Sequence, residues 1–171
     1  MSIAQSLLPE FDQEMTNTRK MLERIPENKL DYKPDPKSMS MGALASHLVE
    51  MAGWLPAMVQ TPELDIPADF KPFLATSRKQ LLDKFDDNVT KSRAALAGLG
   101  DEALMQNWTL KFAGNAMFTM PRIAVYRGMT MNHIIHHRAQ LTVYYRLNGV
   151  PVPALYGPSA DQGQMDAAAG R

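Results

Sequence analysis

The chain has no cysteine among its 171 residues. This absence excludes disulfide bonds, zinc sites built on thiolates and a cysteine nucleophile. Any bound metal ion must therefore use nitrogen and oxygen ligands. Any thiol chemistry must use a thiol that comes from another molecule.

The chain also lacks an excess of charge and a long apolar run. Its 18 Lys and Arg residues balance its 18 Asp and Glu residues, and they are scattered along the sequence. A balanced charge does not favour nucleic acid or an anionic membrane surface as a partner. The first residues, MSIAQSLLPEFDQE, show neither the basic start nor the apolar run of a secretion signal. We therefore expect a cytoplasmic protein that acts on a small molecule.

The length suits one domain with a sizeable core. We expect a single domain over residues 1–171, with an ordered core at about residues 3–161 and a tail at about 162–171. The tail DQGQMDAAAGR is rich in small and polar residues and has no apolar periodicity.

Four segments have the apolar periodicity of amphipathic helices. They are bounded by proline, glycine or capping serine residues, and they span approximately residues 3–24, 40–58, 74–99 and 122–147. Within the second segment, Pro56 is a point at which the helix can bend or end. Such helices bury their apolar faces most simply against one another. The pattern predicts an all-α fold, a four-helix bundle with long crossover connections.

Two connections have other features. The segment TPELDIPADFKPF has three prolines, which indicates a long crossover. The run WTLKFAGNAMFTM alternates weakly around Ala113, Gly114 and Asn115, which indicates a short hairpin or another extended segment.

Three of the four histidines lie within five residues, in the run MNHIIHHRAQ. Because an α-helix has about 3.6 residues per turn, His133 and His137 project from one face. The pair alone is weak evidence, since a core histidine is more often simply hydrogen-bonded. His47 changes the balance, because it interrupts the apolar face of the second predicted helix, where an imidazole needs partners. Together the two segments predict a site at which His47, His133 and His137 meet.

Other polar residues are candidates to act beside this site. Tyr126 and Gln140 lie on the face that carries the histidine pair, with core packing as the alternative for Tyr126. Glu50 follows His47 by one turn, and it orients an imidazole, acts as a base on metal-bound water, or is an ordinary solvated glutamate. His136 lies about 60° around the helix from His133. That position suits either a hydrogen bond behind the site or the bundle surface.

Three neutral imidazoles leave at least one coordination position of a metal ion open. This arrangement is typical of a catalytic site, whereas structural zinc sites are closed by four protein ligands. Zinc fits such ligands well, and nickel, ferrous iron or copper also accept three nitrogens. The residues alone leave this choice open.

The segments KSMSMGALASHLVEMAGW and HIIHHRAQLTVYYRLNGVPVPALYGPSAD resemble the DinB-like (YfiT-like) metal-binding four-helix proteins. The resemblance extends over about residues 3–161. Its most specific parts are the single histidine of the second helix, the pattern H-x-x-H-H-R-x-Q-L and the pattern G-V-P-V-P-x-L-Y-G-P-S. The chain departs from the family at Ala139, where relatives often have glycine, and this change concerns helix packing more than metal binding.

The resemblance implies the same three metal ligands that the spacing indicates, His47, His133 and His137, with Zn or Ni as the metal. Several relatives resemble thiol S-transferases or isomerases that use bacillithiol, mycothiol or glutathione. The resemblance therefore favours a metal-dependent enzyme with thiol S-transferase-like chemistry, and it also implies a homodimer. The alternatives are a metal-dependent hydrolase, a non-catalytic metal-binding stress-response protein, and a bundle whose histidines are core residues.

Overall fold

The computed structural model describes residues 2–161, which form a mostly helical fold with a small sheet. Seven α-helices and three strands follow one another in the order α1 (Ile3–Leu22), α2 (Met41–Met51), α3 (Leu55–Gln60), β1 (Glu63–Ile66), α4 (Arg78–Ala97), α5 (Asp101–Met105), β2 (Asn107–Phe112), β3 (Asn115–Pro121), α6 (Arg122–Val125) and α7 (His133–Leu147). A π-helix (Tyr126–Asn132) joins α6 to α7. The expected tail at 162–171 lies outside the described residues.

Four helices form the bundle. Helices α1 and α2 each pack against both α4 and α7, so that the four helices surround one core. Fully buried apolar side chains from all four helices fill it, including Phe11, Leu48, Phe85 and Leu141. The predicted helical bundle is therefore present.

In residues 2–161, no helix is both long and apolar enough to cross a membrane.

The second predicted helix is divided in two. Helix α2 begins after Ser40, whose hydroxyl accepts a hydrogen bond from the backbone N–H of Ala43, as the capping signal predicts. It ends at Met51, and α3 begins at Leu55 with Pro56 in its first turn. Proline is tolerated there because the first N–H groups of a helix have no intrahelical partner.

The all-α prediction is wrong in one respect, because the chain also forms a three-stranded mixed sheet. Strand β1 pairs in parallel with β2, and β2 pairs antiparallel with β3. The β2–β3 hairpin confirms the expected hairpin. Strand β1 lies in the proline-rich segment that reads as a crossover. The residues that it pairs with lie 46 positions later, from Glu63↔Thr109 to Ile66↔Phe112, and no local pattern reveals such a pairing.

The hairpin turns through two residues. Phe112 pairs with Asn115, and the intervening Ala113 and Gly114 have φ values of 49° and 80°. Positive φ at both central positions is the requirement of the tight turn that matches strand twist. The Asp65 carboxylate accepts a hydrogen bond from the Gly114 N–H at 3.1 Å, so β1 also holds the turn in place.

Candidate functional site

The structure brings the three predicted histidines together. His47 lies on α2, His133 begins α7, and His137 follows one turn later. Because α2 packs against α7, the imidazole of His47 lies across from the pair, with ring centroids 5.2 Å from His133 and 5.0 Å from His137. One nitrogen from each ring lies within 4.8 Å of the other two. Two nitrogens on a tetrahedral ion with bonds of about 2.1 Å lie roughly 3.4 Å apart, which falls within this limit.

Gln140 sets the tautomer of one of the rings. Its Oε1 lies 2.7 Å from Nδ1 of His137. An amide oxygen can only accept, so Nδ1 carries the proton and Nε2 presents its lone pair. That Nε2 lies 2.9 Å from Nε2 of His133. A carbonyl oxygen behind the ring is the usual means by which proteins orient a metal-binding histidine.

His133 has one nitrogen without a hydrogen bond. Its Nδ1 is buried and has no hydrogen-bond partner of normal geometry in the described part of the chain. Burial and then the proximity of His137 lower the pKa of His133, and the backbone carbonyl of Met129 partly opposes this shift. A ring that stays neutral while two Nε2 atoms face each other suits a cation between them.

His47 also stays neutral near physiological pH. Burial, together with charge repulsion from His137 and His133, lowers its pKa to about 4. Neutral imidazoles are the form that binds a metal ion, because the coordinating nitrogen must be unprotonated. The donor set of His47, His133 and His137 therefore fits a divalent ion that accepts nitrogen ligands.

Glu50 contacts both His47 and the backbone of Phe73. One carboxylate oxygen lies 3.8 Å from Nδ1 of His47, and the other accepts a hydrogen bond from the backbone N–H of Phe73 at 2.6 Å. The side chain is only 17% exposed. Burial raises the pKa of Glu50, and the hydrogen bond from Phe73 acts in the opposite direction. Glu50 is thus a partly buried carboxylate, and its raised pKa suits acid–base catalysis better than the pKa of an exposed carboxylate does.

A large cavity opens beside the histidines. It has a volume of about 700 Å³, and His47, Glu50 and Trp54 line it at the end nearest the cluster. The Trp54 ring lies 5.9 Å from His47 and 5.8 Å from His133, measured between centroids. We call this space the apolar cavity, because most of its remaining wall is apolar. The wall comes from the sheet, α3, α4, α6, the π-helix and residues 67–73.

Two other candidates lie elsewhere. The π-helix (Tyr126–Asn132) has wider turns than an α-helix, so Tyr126 at its start does not share the face on which His133 lies. Tyr126 is fully buried in the core, and its hydroxyl has no hydrogen-bond partner among residues 2–161. Met129 and Thr130 line the cavity in its place. His136 is exposed and packs edge-on against His137, with ring centroids 4.9 Å apart.

Several residues of the site have no functional signal in the sequence. Phe73 and Trp108 come from a crossover and from a strand, and Asn88 lies in the middle of α4. Trp54 lies between α2 and α3. Each reaches the cavity through packing between distant segments, so spacing along the chain could not identify it.

Comparisons of sequence agree with this arrangement. The sequence model described as DinB family matches residues 1–168. A Bacillus subtilis protein with the name uncharacterized protein YrdA is 25% identical, and the match covers 91% of this chain and 89% of that protein.

Solved structures show the same fold. A DinB-like protein from Bacillus cereus has a TM-score of 0.69 at 24% identity, covering 91% of this chain and 98% of that one. A DinB-like protein from Bacillus subtilis, YjoA, has a TM-score of 0.67 at 22% identity, covering 88% and 96%. A protein from Exiguobacterium sibiricum has a TM-score of 0.63 at 20% identity, covering 90% and 97%. At these identities the likeness concerns the fold.

Proposed function

This chain belongs to the DinB family, and on that premise we propose that it is a divalent-metal-dependent enzyme with thiol S-transferase-like chemistry. The observation that carries the proposal is the cluster of His47, His133 and His137, whose nitrogens converge beside the apolar cavity. Three protein ligands leave a position open for a substrate atom. Zinc or nickel is the metal we favour, since both accept three imidazoles.

The side chains around the cluster have separate tasks in this proposal. Gln140 holds His137 with its proton on Nδ1, and Glu50 accepts a proton at the boundary between the histidines and the cavity. A bound divalent ion would act as a Lewis acid and lower the pKa of a thiol or water at the open position. Tyr126 is the weakest of the three catalytic candidates, because it is fully buried and does not line the cavity.

Thiol transfer is favoured over hydrolysis for two reasons. The chain has no cysteine of its own, so a thiol would enter as a low-molecular-weight cosubstrate. The apolar cavity beside the cluster offers room for a second, electrophilic molecule. A hydrolase would use water at the same position, and a stress-response protein would bind the metal without turnover.

Metal analysis tests the site first. We expect about one equivalent of zinc or nickel per chain, and a higher thermal midpoint with the metal because an ion that binds only the folded state stabilises it. His137→Ala should lose both the metal and the added stability. His136→Ala is the matched control, since it changes the neighbouring exposed histidine, and it should retain both. Equal metal content in the two variants would contradict the shared site.

An activity assay then separates the three alternatives. Metal-loaded protein is incubated with bacillithiol, mycothiol or glutathione and a panel of electrophiles, and with esters in the absence of thiol. Thiol consumption above the His137→Ala background supports transfer, and ester cleavage alone supports hydrolysis. If neither reaction exceeds that background, the non-catalytic reading replaces the enzyme.

We also propose a cytoplasmic protein that acts on a small molecule and binds neither nucleic acid nor membrane, because basic and acidic residues balance at 18 each. Gel-shift binding that survives physiological salt would contradict this.

A two-fold homodimer is the expected assembly, because helical bundles with exposed apolar residues commonly pair. Val143 and Leu147 lie exposed on α7 and supply such residues. Sedimentation at micromolar concentration should give twice the chain mass, and a monomer mass alone would refute the pairing.

A further inference from the structure

The sheet forms one wall of the apolar cavity. Along a strand, alternate side chains point to opposite faces, and those on the inner face line the cavity, namely Leu64, Ile66, Trp108, Leu110 and Phe118. The outer face is polar. There Thr109 and Thr119 share a hydrogen bond at 2.8 Å, and Lys111 pairs with Glu63 at 2.7 Å. The sheet is therefore amphipathic, and its apolar face forms one wall of the cavity.

Three of the polar groups at the cavity already have hydrogen-bond partners. Asn88 donates its amide N–H to the carbonyl of Val49 at 2.8 Å, and Glu50 accepts from the N–H of Phe73. Asp65 accepts from the hairpin turn. These bonds position the walls, and the other polar side chains there outside the histidine cluster, Lys84 and Thr130, are few beside the apolar lining.

Trp108 lines the cavity with its ring. Within residues 2–161, its indole nitrogen is buried and has no hydrogen-bond partner. Because this nitrogen is not accessible, Trp108 offers a ligand in the cavity apolar surface and not a hydrogen bond.

The volume matches a small molecule. Cavities that bind small ligands have volumes of about 300 to 1,000 Å³ and mostly apolar walls, and this one has about 700 Å³. Aromatic rings stand on several sides, from Trp54, Phe73, Trp108 and Phe118. Such walls favour flat apolar groups, because aromatic pairs prefer offset or edge-to-face contact.

We propose that the apolar cavity binds the apolar body of the second substrate, an aromatic hydrocarbon group with few polar atoms. The reacting end of that molecule lies at the histidine cluster, where Trp54 lines the cavity and also packs near the rings of His47 and His133. The assignment of this molecule as a substrate rests on the proposed function. Binding of its apolar body does not need a metal, because the walls described above are protein side chains.

Calorimetric titration of metal-free protein with phenol and 2-naphthol tests the proposal. 2-Naphthol should bind more tightly than phenol, since it buries more apolar area, and glucose should not bind. Leu110→Trp places an indole in the cavity and should weaken 2-naphthol binding at least tenfold. Met117→Trp is the matched control, because it adds the same indole to the same hairpin at a side chain that is 64% exposed and does not line the cavity. Its affinity should stay within twofold of the parent.

A second variant guards against misfolding of the first. Val125→Phe narrows the cavity from the side of α6, and circular dichroism checks the fold of each variant. Equal 2-naphthol affinity in folded Leu110→Trp or Val125→Phe and in Met117→Trp would overturn the proposal, as would the absence of binding to the parent. The His137→Ala variant separates the two ideas, because it should still bind 2-naphthol after losing metal. A chain that binds 2-naphthol but no metal would leave the cavity assignment intact and remove the proposed enzyme.

Discussion

At the scale of single residues, the site depends on which nitrogen of each imidazole carries a proton. The Gln140 oxygen behind His137 resolves this for one ring, and partial burial keeps the other two neutral. Outside the cluster, Glu50 is a partly buried carboxylate near the histidines. Each of these side chains acts through its immediate neighbours, and single substitutions can test them.

Gln140→Leu should weaken metal binding about 10- to 100-fold, as is typical when the group that orients a metal-binding histidine is lost. The leucine cannot accept a hydrogen bond from the Nδ1–H of His137, so the ring is free to rotate and change tautomer. Gln140→Glu keeps an acceptor oxygen and should retain most of the affinity. Competition with a metal-binding dye measures all three proteins, and equal affinities would show that Gln140 does not orient the ring.

The metal-free protein should lose stability as the pH falls from about 6.5 to about 4. The pKa of His47 is lowered to about 4 in the folded state, and an unfolded histidine titrates near 6.5. Between these values the unfolded chain binds more protons, so the free energy of unfolding decreases with decreasing pH. His133, whose pKa is also lowered, acts in the same direction. After a discount for partial exposure, His47 contributes roughly 1 to 2 kcal/mol.

Urea denaturation at several pH values measures this loss. His47→Leu should flatten the dependence between pH 4 and 6.5. His136→Leu removes an exposed histidine instead and should leave it unchanged. An identical dependence in the parent and in His47→Leu would show that His47 titrates normally.

At the scale of secondary-structure elements, two irregular helices shape the cavity. The break between α2 and α3 places Trp54 beside the histidines, and the π-helix brings Met129 and Thr130 to the wall. A regular helix in either place would present other side chains. The positions of glycines in these two elements show how each is packed.

Two Gly→Ala substitutions should change stability in opposite directions. Gly128 lies within the π-helix, and a Cβ there would meet nothing within 4 Å. Gly128→Ala should stabilise the protein by about 0.5 to 1 kcal/mol by restricting the unfolded chain. At Gly53, a Cβ would lie 2.7 Å from the side-chain amide of Asn88, which donates a hydrogen bond to the carbonyl of Val49. Gly53→Ala should destabilise by about 1 to 3 kcal/mol through overpacking and disruption of that bond.

Urea denaturation of the two variants measures these changes, each serving as the control for the other. Destabilisation by Gly128→Ala would show that the π-helix does not tolerate an ordinary side chain. No effect of Gly53→Ala would show that Asn88 has room to move.

At the scale of the whole molecule, one buried ion pair joins distant parts of the chain. Arg138 on α7 lies 2.5 Å from the carboxylate of Glu14 on α1, and it also donates to the backbone carbonyl of Glu14 and to Thr18. The Tyr156 hydroxyl donates to the same carboxylate at 2.6 Å. The network connects two bundle helices to the segment that follows α7.

Arg138→Met should destabilise the fold by about 3 to 5 kcal/mol, because it leaves the carboxylate of Glu14 buried without its cation. Tyr156→Phe removes one hydrogen bond of the same network and should cost about 1 kcal/mol. Chemical denaturation measures both values. Metal affinity should be unchanged in Tyr156→Phe, since Tyr156 touches none of the three histidines, and a loss of metal there would link this network to the site. A cost below that of Tyr156→Phe would show that Arg138 does not anchor the network.

The fold was predictable where signals are local. The caps, the apolar periodicity and the turn residues indicate helices and a hairpin, and these elements are present. Strand β1 was not predictable, because its stability comes from a parallel partner far along the chain. The π-helix was also missed, since apolar spacing assumes a constant number of residues per turn.

The sequence by itself determined that His133 and His137 share a face, because four residues make slightly more than one helical turn. It also determined that any metal lacks a thiolate ligand, since no cysteine exists. Only the tertiary structure decided that His47 lies within reach of the pair, that Tyr126 points into the core and that a sheet covers a cavity beside Trp54. The physical reason is that helix geometry is set by neighbours along the chain. The meeting of α2 with α7, and of β1 with β2, is set by packing between segments that the sequence keeps far apart.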